Sequence, residues 1–140
     1  MRLDWQTVKL ERGHIEITAA NAKTASRRIV PILPNLAAWL KPHAKQTGKI
    51  LPSGADYYHE LMREAAAETK MENLPAVELK HNALRHSFIS YRVADTQNVA
   101  QVALEAGNSP AMVFGHYREL VTTDDAKKWF AIKPEPKASK

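Results

Sequence analysis

Apolar and polar residues alternate in three short runs near the start of the chain, a pattern typical of half-buried β-strands. The runs cover residues 3–8, 14–18 and 28–33. Residues 11–13, Glu-Arg-Gly, supply turn chemistry between the first two runs, and the polar stretch 19–26 separates the last two. The pattern therefore predicts a three-stranded antiparallel sheet with Leu3 and Trp5 on one face of the first strand and with Ile15 and Ile17 inward.

After the third run, apolar residues recur every three or four positions, which indicates amphipathic helices. Pro34 suits the first turn of a helix, and we expect that helix to end near Gly48. Ser53 resembles the N-cap of a second helix, whose apolar stripe includes Tyr57 and Leu61. These two helices carry no candidate chemistry and are interpreted as scaffold.

Four further helices follow the same spacing in the remainder of the chain. Their expected cap residues are Asn98, Ser109 and Thr122 at N-termini and Gly107 at a C-terminus. The first of these helices covers residues 80–94 and directs Leu84 and Tyr91 toward the core. The last one buries Trp129 and Phe130.

Together these elements predict an α+β fold in which a small three-stranded antiparallel sheet is followed by a mainly helical bundle. The length of 140 residues fits one domain or a piece of one. We expect residues 1–132 to form this domain and residues 133–140, KPEPKASK, to be a disordered tail.

Composition removes several classes of function. The chain has no cysteine, which excludes a disulfide framework and a thiolate metal site. It has no apolar run near the ~18 residues of a membrane span and no signal peptide, so we expect a soluble intracellular protein without membrane partners. The six histidines are scattered and include no HExxH-type pair, so a metal centre is the weaker interpretation, which metal titration would test.

The net charge of +5 is unevenly distributed. Residues 1–52 carry nine Lys and Arg against three Asp and Glu, whereas residues 53–79 carry two against six. This asymmetry fits a basic face turned toward a polyanion and an acidic back. It fits a solvated surface equally well, so charge alone does not decide between the two.

The segment 81–117 holds the candidate chemistry. Arg85 lies near the start of a predicted helix, where its planar guanidinium and the free N–H groups of the first turn suit a phosphate. Tyr117, beside His116, is a possible nucleophile if the fold brings it to the same place. Alternatively, Arg85 forms a surface ion pair and Tyr117 is a half-buried aromatic residue at a helix end.

At these residues the chain resembles the catalytic domain of the tyrosine recombinases, the phage-integrase family. The resemblance lies in LRHSF, then GNSP, then HY, in that order. In that family an arginine in an HxxRH-type segment is catalytic, a Gly-His pair follows, and the nucleophilic tyrosine lies nine positions after that histidine. Arg85 fits the arginine, Asn108 occupies the histidine position, and Tyr117 lies nine positions beyond it.

Two identities differ from the family pattern. The histidine expected three positions before the arginine falls on Asn82, while His81 stands one position earlier. Asn108 replaces the histidine after glycine; its amide can donate to a phosphate oxygen but cannot exchange a proton near neutral pH. The resemblance therefore implies that Asn82, His81 and Asn108 surround the phosphate with Arg85.

The polar tip between the second and third strands also resembles the family. Its sequence, NAKTASRR, places Lys23 where the family has a lysine that protonates the leaving 5′-oxygen. Nearby arginines would favour the neutral amine by like-charge repulsion. The alternative is an exposed turn lysine. Four further residues are expected to contact DNA, namely Arg27, Arg28, His86 and His116.

The resemblance implies site-specific recombination of double-stranded DNA through a 3′-phosphotyrosyl intermediate, with no metal or other cofactor. It implies a homotetramer on DNA, in the cytoplasm of a bacterium or from a phage. The family's first arginine motif and its N-terminal DNA-clamping domain have no counterpart here, so we expect a truncated catalytic domain that is weak or inactive alone. The alternative is a non-catalytic DNA-binding or accessory protein of the same fold.

Overall fold

The computed structural model describes residues 3–19, 27–51, 55–68, 80, 82–117 and 121–135. Within these ranges the chain is α+β, with a three-stranded antiparallel sheet followed by helices. The strands are β1 Val8–Lys9, β2 His14–Ile17 and β3 Arg28–Pro31. The helices are α1 Pro34–Leu40, α2 Ala55–Glu68, α3 Ala83–Thr96, α4 Val99–Ala106, α5 Pro110–Tyr117 and α6 Thr123–Ala131. The predicted order of sheet and bundle is confirmed.

The sheet has the order β1-β2-β3, and its register pairs Ile15 with Val8 on one side and with Val30 on the other. Between β1 and β2 a 3-10 turn, Leu10–Arg12, ends at Gly13 with φ of +70°. A left-handed backbone of this kind favours glycine, since it has no Cβ to clash with the backbone. Of the two residues predicted to face inward, Ile17 is buried and Ile15 is half-buried, while Trp5 is also buried.

The first strand is shorter than the sequence suggested. Residues 3–8 were expected to be extended, but Trp5–Thr7 form a 3-10 turn and the strand starts at Val8. The reason is local: Asp4 accepts a hydrogen bond from the backbone N–H of Gln6 and so caps the turn. Short polar side chains that bond to nearby backbone compete with a strand in this way.

The first helix also ends earlier than expected. α1 stops at Leu40 and continues as a 3-10 turn, Lys41–His43, rather than reaching Gly48. Pro42 lacks an N–H and its ring crowds the preceding turn, which disfavours a continued α-helix. The predicted position of Pro34 in the first turn is confirmed.

Two predicted apolar faces are only partly buried. On α2, Tyr57 and Leu61 are exposed, so this stripe does not form core; the expected cap, Ser53, lies outside the described residues. On α3, Leu84 is 50% exposed, while Phe88 packs against the core. Hydrophobic spacing identified these helices but not the sides that other elements cover.

The core is built around α4, which packs against α3, α5 and β3. Its buried side chains come from α3, α4 and α5, and they are Ile89, Val102, Ala103, Ala106, Val113 and Tyr117. Burying an aliphatic side chain contributes roughly 1.5–3 kcal/mol, so this cluster fixes the relative positions of the three helices that carry the candidate site.

The last helix folds back on its own chain. α6 packs against α3, where the rings of Tyr91 and Trp129 stack at 4.9 Å. The indole N–H of Trp39 donates to the carbonyl of Ile132 at 3.4 Å, which ties the end of α6 to α1. Trp129 and Phe130 are half-buried rather than fully buried as expected. Of the expected tail, residues 136–140 lie outside the described residues.

Helix caps follow the sequence closely. Asn98 accepts a hydrogen bond from the N–H of Gln101 at 3.0 Å, and Thr122 accepts one from Asp125 at 3.2 Å. Gly107 ends α4 with φ of +68°. None of the described helices is long and apolar enough to cross a membrane.

Removing the cap of α4 tests how much local capping contributes to this fold. We expect Asn98→Ala to lower the free energy of unfolding by about 1 kcal/mol, because the N–H of Gln101 loses its acceptor. Urea denaturation measures the change. Asn98→Ser keeps a capping oxygen and should retain most of the stability; an equal loss in both variants would contradict a capping role.

Candidate functional site

Arg85 and Asn108 lie together, as the family resemblance implied. Arg85 is on the first turn of α3, and its Nη2 donates to the carbonyl oxygen of Ala106 at 2.8 Å. The same nitrogen donates to Oδ1 of Asn108. The guanidinium therefore spans from the start of α3 to the turn that ends α4. Within the described residues its other nitrogens donate to no further group that has been identified, and a guanidinium has five N–H donors.

The turn after α4 sets the direction of Asn108. Gly107 adopts the left-handed conformation, and the N–H of Asn108 returns to the carbonyl of Ala103 at 2.9 Å. This closure satisfies a carbonyl at the end of the helix. It also leaves Asn108 half-buried with its side chain on Arg85.

Tyr117 lies at the end of α5 and is only 6% exposed. Its hydroxyl shares a hydrogen bond with Nδ1 of His86, and the two rings stack with their centroids 5.5 Å apart. His86 itself is exposed. The phenol is thus held against the residue that follows Arg85, so the two ends of the segment 81–117 meet at the first turn of α3.

Arg28 reaches the turn after α4 from the sheet. It is the first residue of β3, opposite Ile17 of β2. A methyl group placed on Gly107 would lie 2.7 Å from Cζ of Arg28 and 2.8 Å from its Nη1. The guanidinium therefore rests against the bare backbone of Gly107. The sequence predicted that Arg28 contacts DNA, but no motif indicated that its guanidinium packs against Gly107.

The other expected site residues are less informative. Lys23 and His81 lie outside the described residues. Asn82 is exposed with φ of +60° and makes no capping hydrogen bond to α3. Arg27 is exposed at the start of the sheet's last strand, and His116 is exposed with its ring 6.5 Å from that of Tyr117.

The interpretation of Arg85 as one partner of an ion pair finds no support among the described residues. In the described part of the chain, carboxylates lie within 4 Å of other cations, such as Arg92 and Lys127, but not of Arg85 or Arg28. Within the same ranges, no group of three or more His, Asp and Glu side chains could hold a metal ion.

The arrangement brings four chemical functions to the first turn of α3 and the turn after α4. Two guanidiniums supply positive charge and a half-buried amide supplies a further polar group. A phenol hydrogen-bonded to an imidazole supplies a nucleophile with a proton acceptor beside it. Guanidinium and amide groups are suited to binding a phosphate, and a phenol is a potential nucleophile. No family model, curated protein or solved structure matches the chain, so the site is interpreted from its own geometry and sequence.

Proposed function

We propose that this chain acts as a tyrosine-recombinase catalytic domain and transfers DNA strands through Tyr117. The observation that carries the proposal is the pairing of Tyr117 with His86 beside Arg85, which in turn contacts Asn108. These residues come from α3, the turn after α4, and α5, and they correspond to the motifs of the resemblance. Side chains without a shared role have no reason to come together from three separate elements.

The chemistry assigns a role to each group. The oxygen of Tyr117 attacks a backbone phosphorus, and the P–O5′ bond breaks as the 3′-phosphotyrosyl bond forms. The phenolic proton passes to His86, and the leaving 5′-oxygen takes a proton from Lys23. Arg85 stabilises negative charge on the non-bridging oxygens as it develops, and Asn108 holds the guanidinium in place.

The ligand is double-stranded DNA, and the reaction needs no metal because the guanidiniums carry the charge. Energy of the broken bond is kept in the phosphotyrosyl link, so a 5′-hydroxyl can reverse the step. We further propose that recombination takes place in a homotetramer on DNA, since two duplexes must exchange strands.

A nicked duplex that releases a short 5′-hydroxyl strand after attack tests the proposal. We expect a covalent protein–DNA adduct at Tyr117, detectable by denaturing gel and peptide mass, and none with Tyr117→Phe. A second duplex carries a methylphosphonate at the reacting position, which removes one negative charge and with it part of the need for guanidiniums. Adduct formation should be slow on the phosphodiester and faster on the methylphosphonate.

A second candidate function is non-catalytic DNA binding by the same fold. The burial of Tyr117, at 6% exposure, favours this alternative because the phenolic oxygen would have to reach a backbone phosphorus from a position almost closed to solvent. The two functions are separated by the same experiment. Duplex binding without an adduct on either substrate would leave DNA binding and contradict strand transfer.

A further inference from the structure

We propose that Arg28 is a second guanidinium of the phosphate site, held beside Arg85 by the bare backbone of Gly107. The ligand is a backbone phosphate of DNA. The inference deepens the proposed function and rests on it for the choice of ligand. It does not require the covalent step, because binding alone reports on Arg28.

The first support is the shared turn. Arg85 contacts Ala106 and Asn108, and Arg28 contacts Gly107 between them. Successive Cα atoms are about 3.8 Å apart, so both guanidiniums lie against a segment that spans two such steps. A phosphate bound at this turn could accept from both guanidiniums, since it presents two non-bridging oxygens.

The second support is the state of the Arg28 side chain. Its Nε is buried and has no hydrogen-bond partner in the described part of the chain. Neither Arg28 nor Arg85 has a carboxylate within 4 Å there. Two guanidiniums held against one turn without a counter-charge repel each other. A bound anion removes that repulsion by accepting from the outer nitrogens of the guanidiniums.

The third support is the absence of a side chain at residue 107. Any Cβ would lie under 3.0 Å from Cζ and Nη1 of Arg28, and the flexible end of the arginine would have to move away. Gly107 is thus needed twice, for its left-handed φ and for the approach of Arg28. A phosphate bound here would also join β3 to α3 and the end of α4.

Two pairs of variants test the proposal by reversible binding of a fluorescent duplex over a range of salt concentrations. Arg28→Gln is compared with Arg63→Gln, which removes the same charge from the exposed face of α2. Gly107→Asn is compared with Gly13→Asn, because both glycines have φ near +70° but nothing lies within 4 Å of a Cβ at Gly13. Asparagine tolerates the left-handed conformation, so strain is matched.

We expect Arg28→Gln to weaken binding roughly tenfold, as loss of a charge-assisted hydrogen bond does. The slope of log affinity against log salt should become shallower by about 0.9, the value for one phosphate contact. Gly107→Asn should weaken binding by displacing the guanidinium, while Arg63→Gln and Gly13→Asn should leave affinity within about twofold of the original chain. Inorganic phosphate should raise the thermal midpoint of the original chain more than that of Arg28→Gln.

Equal effects within each pair would overturn the inference, whether or not Tyr117 forms an adduct. An adduct at Tyr117 together with equal effects would leave the proposed function and remove Arg28 from the site. Unequal effects without an adduct would establish the phosphate site and contradict strand transfer. Gly107→Asn keeps the inference testable if Arg28→Gln does not fold, since it retains the arginine.

Discussion

Replacing Arg92 by methionine is expected to destabilise the fold by about 3–5 kcal/mol, the largest effect on stability that this structure predicts. The reason is the carboxylate left behind. Glu105 of α4 is 7% exposed and would lose its charged partner while remaining buried. A buried charge without a partner is costly because water no longer solvates it.

The contacts of Arg92 explain the size of the effect. Its Nε and Nη2 donate to the two carboxylate oxygens of Glu105 at 3.0 and 3.2 Å, and its Nη1 donates to Asp95 at 2.7 Å. Burial alone would lower the pKa of Arg92, but the hydrogen bonds and charges of Glu105 and Asp95 outweigh it, and the pKa is raised. The guanidinium therefore stays charged throughout the pH range in which the protein folds.

A paired variant serves as the control. In Arg92→Met with Glu105→Met, both charges leave and the space is filled by flexible apolar side chains, so most of the lost stability should return. Gln101, which donates to Glu105 at 2.8 Å, loses this acceptor in the double variant, and because it is exposed its amide can bond to water. Urea unfolding of the single and double variants measures the coupling. Equal destabilisation in both would show that packing, and not the unpaired charge, decides stability here.

Sequence predicted the features of this fold that depend on a few neighbouring residues. The caps at Asn98 and Thr122 and the stop at Gly107 follow from local hydrogen bonding and from backbone conformation. The predicted length of the first strand was wrong because Asp4 caps a turn instead. Local chemistry was decisive in each case, and in the strand it competed with the alternating pattern.

Burial was harder to predict because it depends on which neighbour covers a face. Leu84 follows helical spacing yet remains half exposed, whereas Arg92 and Glu105 are charged yet buried between α3 and α4. Periodicity identifies the apolar side of a helix, but it does not show how far along that side a neighbouring helix extends and covers it. The ion pair joins residues thirteen positions apart on different helices, a contact that no short motif encodes.

The candidate site, too, was predicted from the sequence only in part. Motif spacing identified Arg85, Asn108 and Tyr117 as candidate site residues. In the structure Arg85 donates a hydrogen bond to Asn108. Spacing did not reveal that His86 would contact Tyr117, since 31 positions separate them and the packing of α3 against α5 decides the distance. Nor did it reveal the approach of Arg28 to Gly107, which depends on how β3 lies against α4.

His86→Ala is expected to slow adduct formation at Tyr117 by at least about a hundredfold, the lower range for loss of a general base. The imidazole shares a hydrogen bond with the phenol and is exposed to solvent on its other side. It can therefore take the phenolic proton during attack and release it to water. Single-turnover rates on the methylphosphonate duplex measure the effect.

His86→Asn separates proton transfer from positioning. An asparagine oxygen can occupy the place of Nδ1 and accept the phenol's hydrogen bond, but an amide does not take up a proton near neutral pH. If His86 accepts the proton, His86→Asn should be as slow as His86→Ala while unfolding at a similar urea concentration to the original chain. A normal rate in His86→Asn would assign the residue to positioning alone.

Added imidazole supplies a further distinction. Because His86 is exposed, its removal in His86→Ala opens the phenol to solvent, and free imidazole can reach the oxygen of Tyr117. We expect imidazole to restore part of the rate in His86→Ala and none in His86→Asn, where the amide fills the position. A merely structural histidine would give no recovery, because a small molecule in solution does not restore packing between α3 and α5.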